Sequence, residues 1–315
     1  MTTIPYAGSG PYCYANSLAM MLGADSPPPS LIEVLTGSPY GMQLISGRLP
    51  LFDPYGWDPE LGLDAAIGLL GWTCDRTDGG TPEAALSRLR AACLAGPVLA
   101  GPLDMGPLTY RPDSGQAVGA DHYLVVLEAG DDTLLVHDPE GHPYATIATG
   151  DFLAAWRGEL ITYLRRPYAM RGGFVRRERV SGEEALRRSL PAGAAWLAGR
   201  TDADVSPGTL GQAEAAERTA ELGLSPEVRE LWARFAVRVG ARRAGDLATW
   251  LSALGLDAAA AIAAGQARLV GGLQAPVVAG DDAALAAGLR ALAPTYERLR
   301  HALTGAARSS DPVAL

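Results

Sequence analysis

The chain has 315 residues, a formal net charge of −9, 48% hydrophobic residues and 26 basic residues, all of them arginine. The negative balance argues against a nucleic-acid partner, and the absence of lysine excludes a Lys Schiff base and with it ordinary pyridoxal-phosphate chemistry. Three scattered cysteines are too few for a disulfide framework or a zinc finger and suit a reducing compartment. We see no signal-peptide pattern and no apolar run of about 18 residues, so we expect a cytoplasmic protein that does not enter a membrane.

The N-terminal half alternates helical and strand patterns. Apolar residues at helical spacing, followed by Gly23, predict a helix that begins at or near Cys13. Thr81-Pro82 is a strong helix start, and this helix should run to about Ala95. Further helices are predicted at 30–37, 61–70 and 151–156, and strands at 72–74, 98–100, 123–128, 133–137, 143–147 and 159–164.

Two segments differ in composition from the predicted strands: one lies between two of them and the other follows the last. Residues 102–120 form a long Gly/Pro-rich loop, where we expect substrate contacts, with Asp104, Tyr110 and Arg111 as candidates. Residues 166–180 are rich in arginine and are interpreted as a linker. Helical periodicity dominates after it, with helices predicted at 182–190, 211–223, 226–240, 244–254, 257–265 and 282–304. The prediction is an α+β chain: a domain over 1–165 with a small antiparallel sheet, the linker, and an all-α domain over 181–315.

The stretch from Asp121 to Gly141 reads as two apolar strands joined by a turn at residues 130–132. His122 and Asp138 are equidistant from Gly130, so a hairpin should bring them side by side on one face. A carboxylate in that position can hold an imidazole in one tautomer. The alternative is a core hairpin that merely has polar ends.

Cys13 is the third member of this constellation. A helix N-terminus and a nearby imidazolium both stabilise a thiolate, which is the nucleophilic form of cysteine. The order Cys13, His122, Asp138 is the order of a papain-like triad, although a free cysteine is also common as a small core residue. Cys74 and Cys93 are interpreted as structural, and we expect no metal site and no cofactor.

Four segments together carry a resemblance to a known family: GPYCYANSLAMMLG, SLIEVLTGSPYG, AGPVLAG and DHYLVVLEAGDDTLLVHDPEG. They resemble the N-terminal domain of the butirosin biosynthesis protein H family and, more distantly, the cysteine peptidases that cut double-glycine leaders from bacteriocins. The resemblance covers about residues 6–164 and implies a papain-like fold. It also implies that Cys13 is the nucleophile, His122 the base and Asp138 the orienting acid.

The chain departs from both groups near Cys13. The peptidases place a Gln six residues before the cysteine for the oxyanion hole, and this chain has Ala7 there. The butirosin-type proteins often place a His directly before the cysteine, where this chain has Tyr12. Peptidase activity is therefore in doubt. An oxyanion hole would need the Cys13 amide and a second donor, for which Ser9, Tyr12 and Asn16 are the candidates.

The resemblance implies acyl transfer in natural-product, for example antibiotic, biosynthesis. An acyl group would pass from a thioester, held by an acyl-carrier protein or another carrier, through Cys13 to an amine or an internal nucleophile. Two alternatives stay open: a cysteine peptidase or thioester hydrolase, and a non-catalytic binding module of papain-like shape. The arginines of residues 165–179 either dock an acidic carrier protein or form a solvated linker. A nucleophilic Cys13 is expected to alkylate with an apparent pKa well below the ~8.5 of a free thiol.

Overall fold

The structure, a computed structural model, describes residues 11–199 and 205–309, with backbone only for 306–309. The architecture is mixed α+β, with antiparallel sheets and a helical C-terminal region. The helices are α1 (Cys13–Leu22), α2 (Pro29–Leu35), α3 (Pro59–Leu69), α4 (Pro82–Ala95), α5 (Thr149–Arg157), α6 (Gly182–Ala198), α7 (Gln212–Leu222), α8 (Pro226–Leu231), α9 (Val237–Ala253), α10 (Asp257–Gly272), α11 (Gln274–Ala279) and α12 (Asp282–Ser309). The strands are β1 (Gln43–Ile45), β2 (Leu49–Leu51), β3 (Trp72–Thr77), β4 (Val98–Asp104), β5 (Asp121–Ala129), β6 (Thr133–Asp138), β7 (His142–Ala148), β8 (Met170–Arg176) and β9 (Leu210–Gly211).

The chain divides into two compact units, and each is built from two separate segments. The first contains Met1–Ile32 and Gly71–Arg179, and the second contains Glu33–Leu70 and Val180–Leu315. This division differs from the predicted one, in which each domain is a single continuous segment. Residues 33–70, which were predicted to belong to the N-terminal domain, group with the C-terminal helices instead.

The first unit is organised around a six-stranded antiparallel sheet with the strand order β3-β8-β4-β5-β6-β7. β4 is buried along its whole length and β5 is buried over residues 122–126, in keeping with their continuous apolar runs. Side chains from both strands, from β6 and from α4 and α5 form one core, in which Phe152 and Trp156 of α5 are fully buried. This core holds β5 and β6 in place. β5 carries His122 and β6 carries Asp138, two residues of the predicted triad.

Two local predictions about this sheet are wrong. Residues 159–164 form turns, and the strand lies instead at β8, within the segment interpreted as a linker. Its sequence MRGGFVR lacks apolar alternation, yet β8 pairs with β3 on one side and β4 on the other. Two of its residues are arginines that differ in their surroundings. Arg171 is fully buried, whereas Arg176 forms an ion pair with Asp25 at 3.0 Å and stacks on the ring of Trp72. Ladder hydrogen bonds on both edges thus override a weak local preference.

The second unit combines α3 and α6 to α12 with a small sheet in the order β2-β1-β9. Among the described residues after 181, the regular elements are helices apart from the two-residue strand β9. The helices predicted at 226–240 and 244–254 form one helical run, α8 and α9, joined by a π-helical turn at Trp232–Ala236. Trp232 of that turn is fully buried and donates a hydrogen bond from its indole nitrogen to the Pro50 carbonyl at 2.9 Å.

Candidate functional site

Cys13 is the first residue of α1, as the sequence predicts. The preceding residue, Tyr12, has φ 80° and ψ 53°, a left-handed conformation that costs a non-glycine residue about 1 kcal/mol. Asn16 supports this turn, because its side-chain amide donates to the carbonyls of Pro11 and Tyr12 at 3.1 and 2.9 Å. These hydrogen bonds stabilise the sharp turn that precedes α1. Cys13 therefore lies at the N-terminus of the helix, where the helix dipole stabilises a negative charge such as a thiolate.

His122 and Asp138 meet through β5 and β6. The His122 Nε2 lies 2.8 Å from the Asp138 Oδ1, and both side chains are buried. The register differs from a simple hairpin about Gly130: Val125 pairs with His137 and Glu128 with Leu135, which leaves Leu127 as a bulge residue. Asp138 is therefore displaced by two positions from the residue opposite His122, and a displacement of two keeps both side chains on one face.

The structure also brings Cys13 to this pair. The Cys13 thiol and the His122 side chain are hydrogen-bond partners, and the Tyr123 backbone amide adds a hydrogen bond to the thiol. Since the His122 Nε2 faces Asp138, the ring nitrogen left for the thiol is Nδ1. The three residues that the sequence nominated for a triad thus form one connected chain of hydrogen bonds in the order Cys13, His122, Asp138.

The electrostatics of the three groups are coupled. Burial disfavours a charged His122, but the Asp138 carboxylate outweighs it and raises the pKa of His122 well above its ordinary value. Burial likewise opposes ionisation of Asp138, yet the charge of His122 and the hydrogen bonds to the carboxylate lower the pKa of Asp138. These two residues therefore favour an imidazolium–carboxylate ion pair.

The Cys13 thiol departs from the expectation of a lowered pKa. Burial raises the pKa of Cys13, while the hydrogen bond and the charge of His122 act to lower it, and the net direction is upward. The charge of Asp121 adds to the increase. The sequence could not show this, because burial and the position of Asp121 depend on the tertiary packing of α1. Ionisation of Cys13 therefore depends strongly on His122.

Two residues that were nominated as substrate contacts belong to the surroundings of Asp138. The Tyr110 hydroxyl donates to the Asp138 Oδ2 at 2.8 Å, and Arg111 pairs with Glu140 at 2.7 Å while lying 4.0 Å from the same Oδ2. The Glu140 backbone amide donates to the Asp138 Oδ1 at 2.7 Å. Donors thus reach both oxygens of Asp138, so its orientation toward His122 is fixed by several contacts.

The third nominated contact, Asp104, has a structural role that corrects the prediction. Its side chain is fully buried, and its oxygens accept hydrogen bonds from the backbone amides of Gly106, Val118 and Gly119 at 2.6–3.1 Å. Asp104 therefore joins the two ends of the 105–120 loop. A carboxylate whose acceptor positions are filled in this way is unavailable to a substrate.

The oxyanion candidates have different outcomes. Asn16 is not available, because its amide is directed at the carbonyls that precede α1 rather than toward Cys13. Tyr12 directly precedes Cys13 and stays a prediction, as does the Cys13 amide, which lies at the helix end where amides lack intrahelical acceptors. Ser9 and Ala7 lie outside the described residues.

Two of the other histidines and cysteines, His137 and Cys93, have surroundings of their own. His137 is fully buried and accepts a hydrogen bond from the Tyr144 amide at 3.1 Å; it is adjacent to Asp138 on β6, so the two side chains point to opposite faces of the strand. Burial raises the pKa of Cys93 to about 11, which makes this thiol a poor nucleophile. Over residues 11–199 and 205–309, the structure contains no group of three side chains placed to hold a metal ion, and no helix long and apolar enough to cross a membrane.

Asp121 and Tyr163 are two polar residues in the surroundings of Cys13 that were not predicted as candidates from the sequence. Asp121 precedes His122 on β5, and its Oδ2 accepts a hydrogen bond from the Tyr163 hydroxyl at 2.7 Å. Asp121 could have been noticed from its position beside the predicted histidine. Tyr163 could not, because the predicted strand at 159–164 gave no reason to bring it to the start of β5.

Comparison with known proteins gives two matches. Residues 205–304 match the family model of the YobF C-terminal domain. The chain is also 34% identical over 161 residues to the uncharacterized protein YobF of Bacillus subtilis (strain 168), a match that covers 50% of this chain and 52% of that protein. This chain thus spans about half the length of that curated relative. The matched C-terminal domain lies in the second unit, whereas Cys13, His122 and Asp138 lie in the first.

Proposed function

We propose that the protein is a cysteine-dependent acyltransferase whose first unit is papain-like. The supporting observation is the connected arrangement of Cys13, His122 and Asp138, with the thiol at a helix N-terminus and the imidazole oriented by a buried carboxylate. A thiolate beside an imidazolium attacks activated carbonyls such as thioesters. The proposal includes a cytoplasmic setting and a role in natural-product biosynthesis.

The first half-reaction transfers the acyl group to the enzyme. In the reactive form Cys13 is a thiolate and His122 carries a proton. The Cys13 Sγ forms a bond to the thioester carbonyl carbon, and the bond from that carbon to the donor sulfur breaks. The departing thiolate takes the proton from His122, which leaves an acyl-Cys13 and a neutral imidazole.

The second half-reaction releases the acyl group. Neutral His122 accepts a proton from the acceptor amine while the amine nitrogen bonds to the acyl carbon and the bond to Cys13 breaks. The enzyme returns to the thiolate–imidazolium form. The raised pKa of His122 suits this step, since it makes the ring a stronger proton acceptor. Asp138 keeps Nε2 occupied and leaves Nδ1 for the chemistry.

The remaining parts of the proposal concern the donor and the oxyanion. The donor is a thioester, and an acyl-carrier protein is the partner that we propose for it. Developing charge on the carbonyl oxygen would be stabilised by the Cys13 amide, with Tyr12 as the neighbouring candidate. The acceptor is a small molecule with an amine, or a nucleophile within the acyl chain itself.

Intact-protein mass spectrometry tests the proposal. The protein is incubated with a panel of acyl-thioesters, and the expected result is a mass increase that matches the acyl group. The increase should be absent in Cys13→Ala and retained in Cys93→Ala, a matched control at another partly buried cysteine. A chase with amines or with water then separates a transferase from a hydrolase. An adduct that persists in Cys13→Ala, or no adduct with any thioester, contradicts the proposal.

A further inference from the structure

A small cluster of hydrogen-bonded groups lies beside Cys13 and has no part in the steps above. The Asp121 Oδ2 accepts a 2.7 Å hydrogen bond from the Tyr163 hydroxyl, which lies 3.4 Å from the hydroxyl of Tyr123. The Tyr123 ring stacks edge-to-face on Tyr14, the residue after Cys13, with ring centres 6.0 Å apart. The cluster is thereby fixed between the start of β5 and the first turn of α1.

Asp121 lies close to the reacting thiol. It directly precedes His122 along β5, and the next residue, Tyr123, donates its backbone amide to Cys13. Asp121 and Tyr163 are both only partly buried. The charge of Asp121 acts on the Cys13 thiol, so a ligand bound at Cys13 would lie within range of the same charge.

A carboxylate at this position is unfavourable for the resting protein, because its charge opposes the formation of a thiolate at Cys13. The charge is also uncompensated: within the described residues, no arginine or histidine forms an ion pair with Asp121, and no group bonds to its Oδ1. The Tyr163 hydroxyl holds Oδ2 and leaves Oδ1 for a further donor. An oriented and unpaired carboxylate beside a nucleophile is suited to a cationic ligand.

We propose that Asp121 and Tyr163 form a subsite for an ammonium or guanidinium group of the ligand that reacts at Cys13. This inference takes from the proposed function only the assumption that the ligand reacts with Cys13 by acyl transfer. A bound cation neutralises the carboxylate, so occupancy of the subsite favours the Cys13 thiolate. Binding of the correct ligand and activation of the nucleophile are thereby coupled.

The first test needs no substrate. The rate of Cys13 alkylation by iodoacetamide is followed against pH with methylammonium chloride and with sodium chloride at equal ionic strength. Methylammonium should lower the apparent pKa of Cys13 in a saturable way by ~0.5 unit or more, an effect that Asp121→Asn should abolish. Asp132→Asn, which removes an exposed charge at the far turn of the hairpin, is the matched control and should respond like the wild type. An equal response to both salts, or a response that persists in Asp121→Asn, overturns the proposal.

The second test identifies which reactant carries the cation. Thioesters with a cationic or an uncharged acyl chain are compared in adduct formation, and cationic or uncharged nucleophiles are compared in the chase. If the cation is on the donor, Asp121→Asn should reduce the preference for the cationic thioester at least tenfold. If it is on the acceptor, the same loss should appear in the chase. Absence of any acyl-Cys13 in the wild type counts against the acyltransferase alone, since the alkylation experiment decides the subsite independently.

Discussion

The Tyr110 hydroxyl and the His122 imidazole are bound to opposite oxygens of Asp138, each at 2.8 Å. Tyr110 comes from the long 105–120 loop and His122 from β5, so one carboxylate connects the loop to the proposed catalytic histidine. Burial and Asp138 together raise the pKa of Tyr110, which keeps the hydroxyl protonated and able to donate. The loop thereby contributes directly to the orientation of the proposed triad.

Tyr110→Phe removes the hydroxyl and keeps the ring. The hydrogen bond from Tyr110 helps to lower the pKa of Asp138, so its loss should raise that pKa. A carboxyl group with a lowered folded-state pKa contributes stability above about pH 4, and the contribution is lost as the pH falls through the folded-state pKa. Acid unfolding of the variant should therefore begin at higher pH, with a loss of about 1.5–3 kcal/mol at neutral pH in urea titrations. Tyr144→Phe, at a half-exposed ring, should change neither quantity.

Asp138→Asn removes the charge that pairs with His122. A group with a raised pKa stabilises the fold fully below its unfolded pKa, about 6.5 for histidine, and the contribution disappears as the pH rises through the folded-state value. The free energy of unfolding should fall by about 3 kcal/mol between about pH 4 and 6.5, and by less at alkaline pH. Urea unfolding of both proteins, followed from about pH 4 to alkaline pH, measures the difference. A pH-independent difference would contradict the buried ion pair.

His122→Asn should slow alkylation of Cys13. The hydrogen bond and the charge of His122 lower the pKa of the thiol, so their removal should raise the apparent pKa by about 1 unit and reduce the rate at neutral pH about tenfold. Peptide mass spectrometry distinguishes Cys13 from Cys93, whose burial-raised pKa of about 11 makes it an internal standard. An unchanged Cys13 rate, or an equal decrease at Cys93, would show that His122 does not act on the thiol.

Asp104→Asn should release the 105–120 loop. An asparagine amide group would face the backbone N–H groups of Val118 and Gly119, where the structure needs acceptors. We expect faster proteolysis within residues 105–120, and slower alkylation of Cys13 because the loop also carries Tyr110. Asp113→Asn, at an exposed position of the same loop, is the control for charge loss. Unchanged cleavage rates would disprove the anchoring role of Asp104.

The sequence was informative where local chemistry determines the structure. Thr81 caps α4 through its hydroxyl as predicted, and α1 begins at Cys13 and ends before Gly23. The pairing of His122 with Asp138 was predicted from a register that is two residues off, and the contact survived because an even shift preserves the face. β8 could not be predicted, since it depends on partner strands that are distant in the chain. The role of Asp104 could not be predicted because it depends on the path of the loop that brings Val118 and Gly119 back to its carboxylate.

The interleaved order of the two units has a consequence for synthesis of the chain. Glu33 pairs with Arg243 at 2.7 Å, and Trp232 bonds to Pro50, so an early segment finds its partners only after most of the polypeptide has left the ribosome. Such distant contacts slow folding and leave apolar surface exposed in the meantime. A fragment that ends at residue 165 would lack β8. In that fragment residues 33–70 would also lose the C-terminal helical residues, such as Trp232 and Arg243, that they contact. Biochemical work on the proposed catalytic residues therefore requires the whole chain, even though all three lie before residue 140.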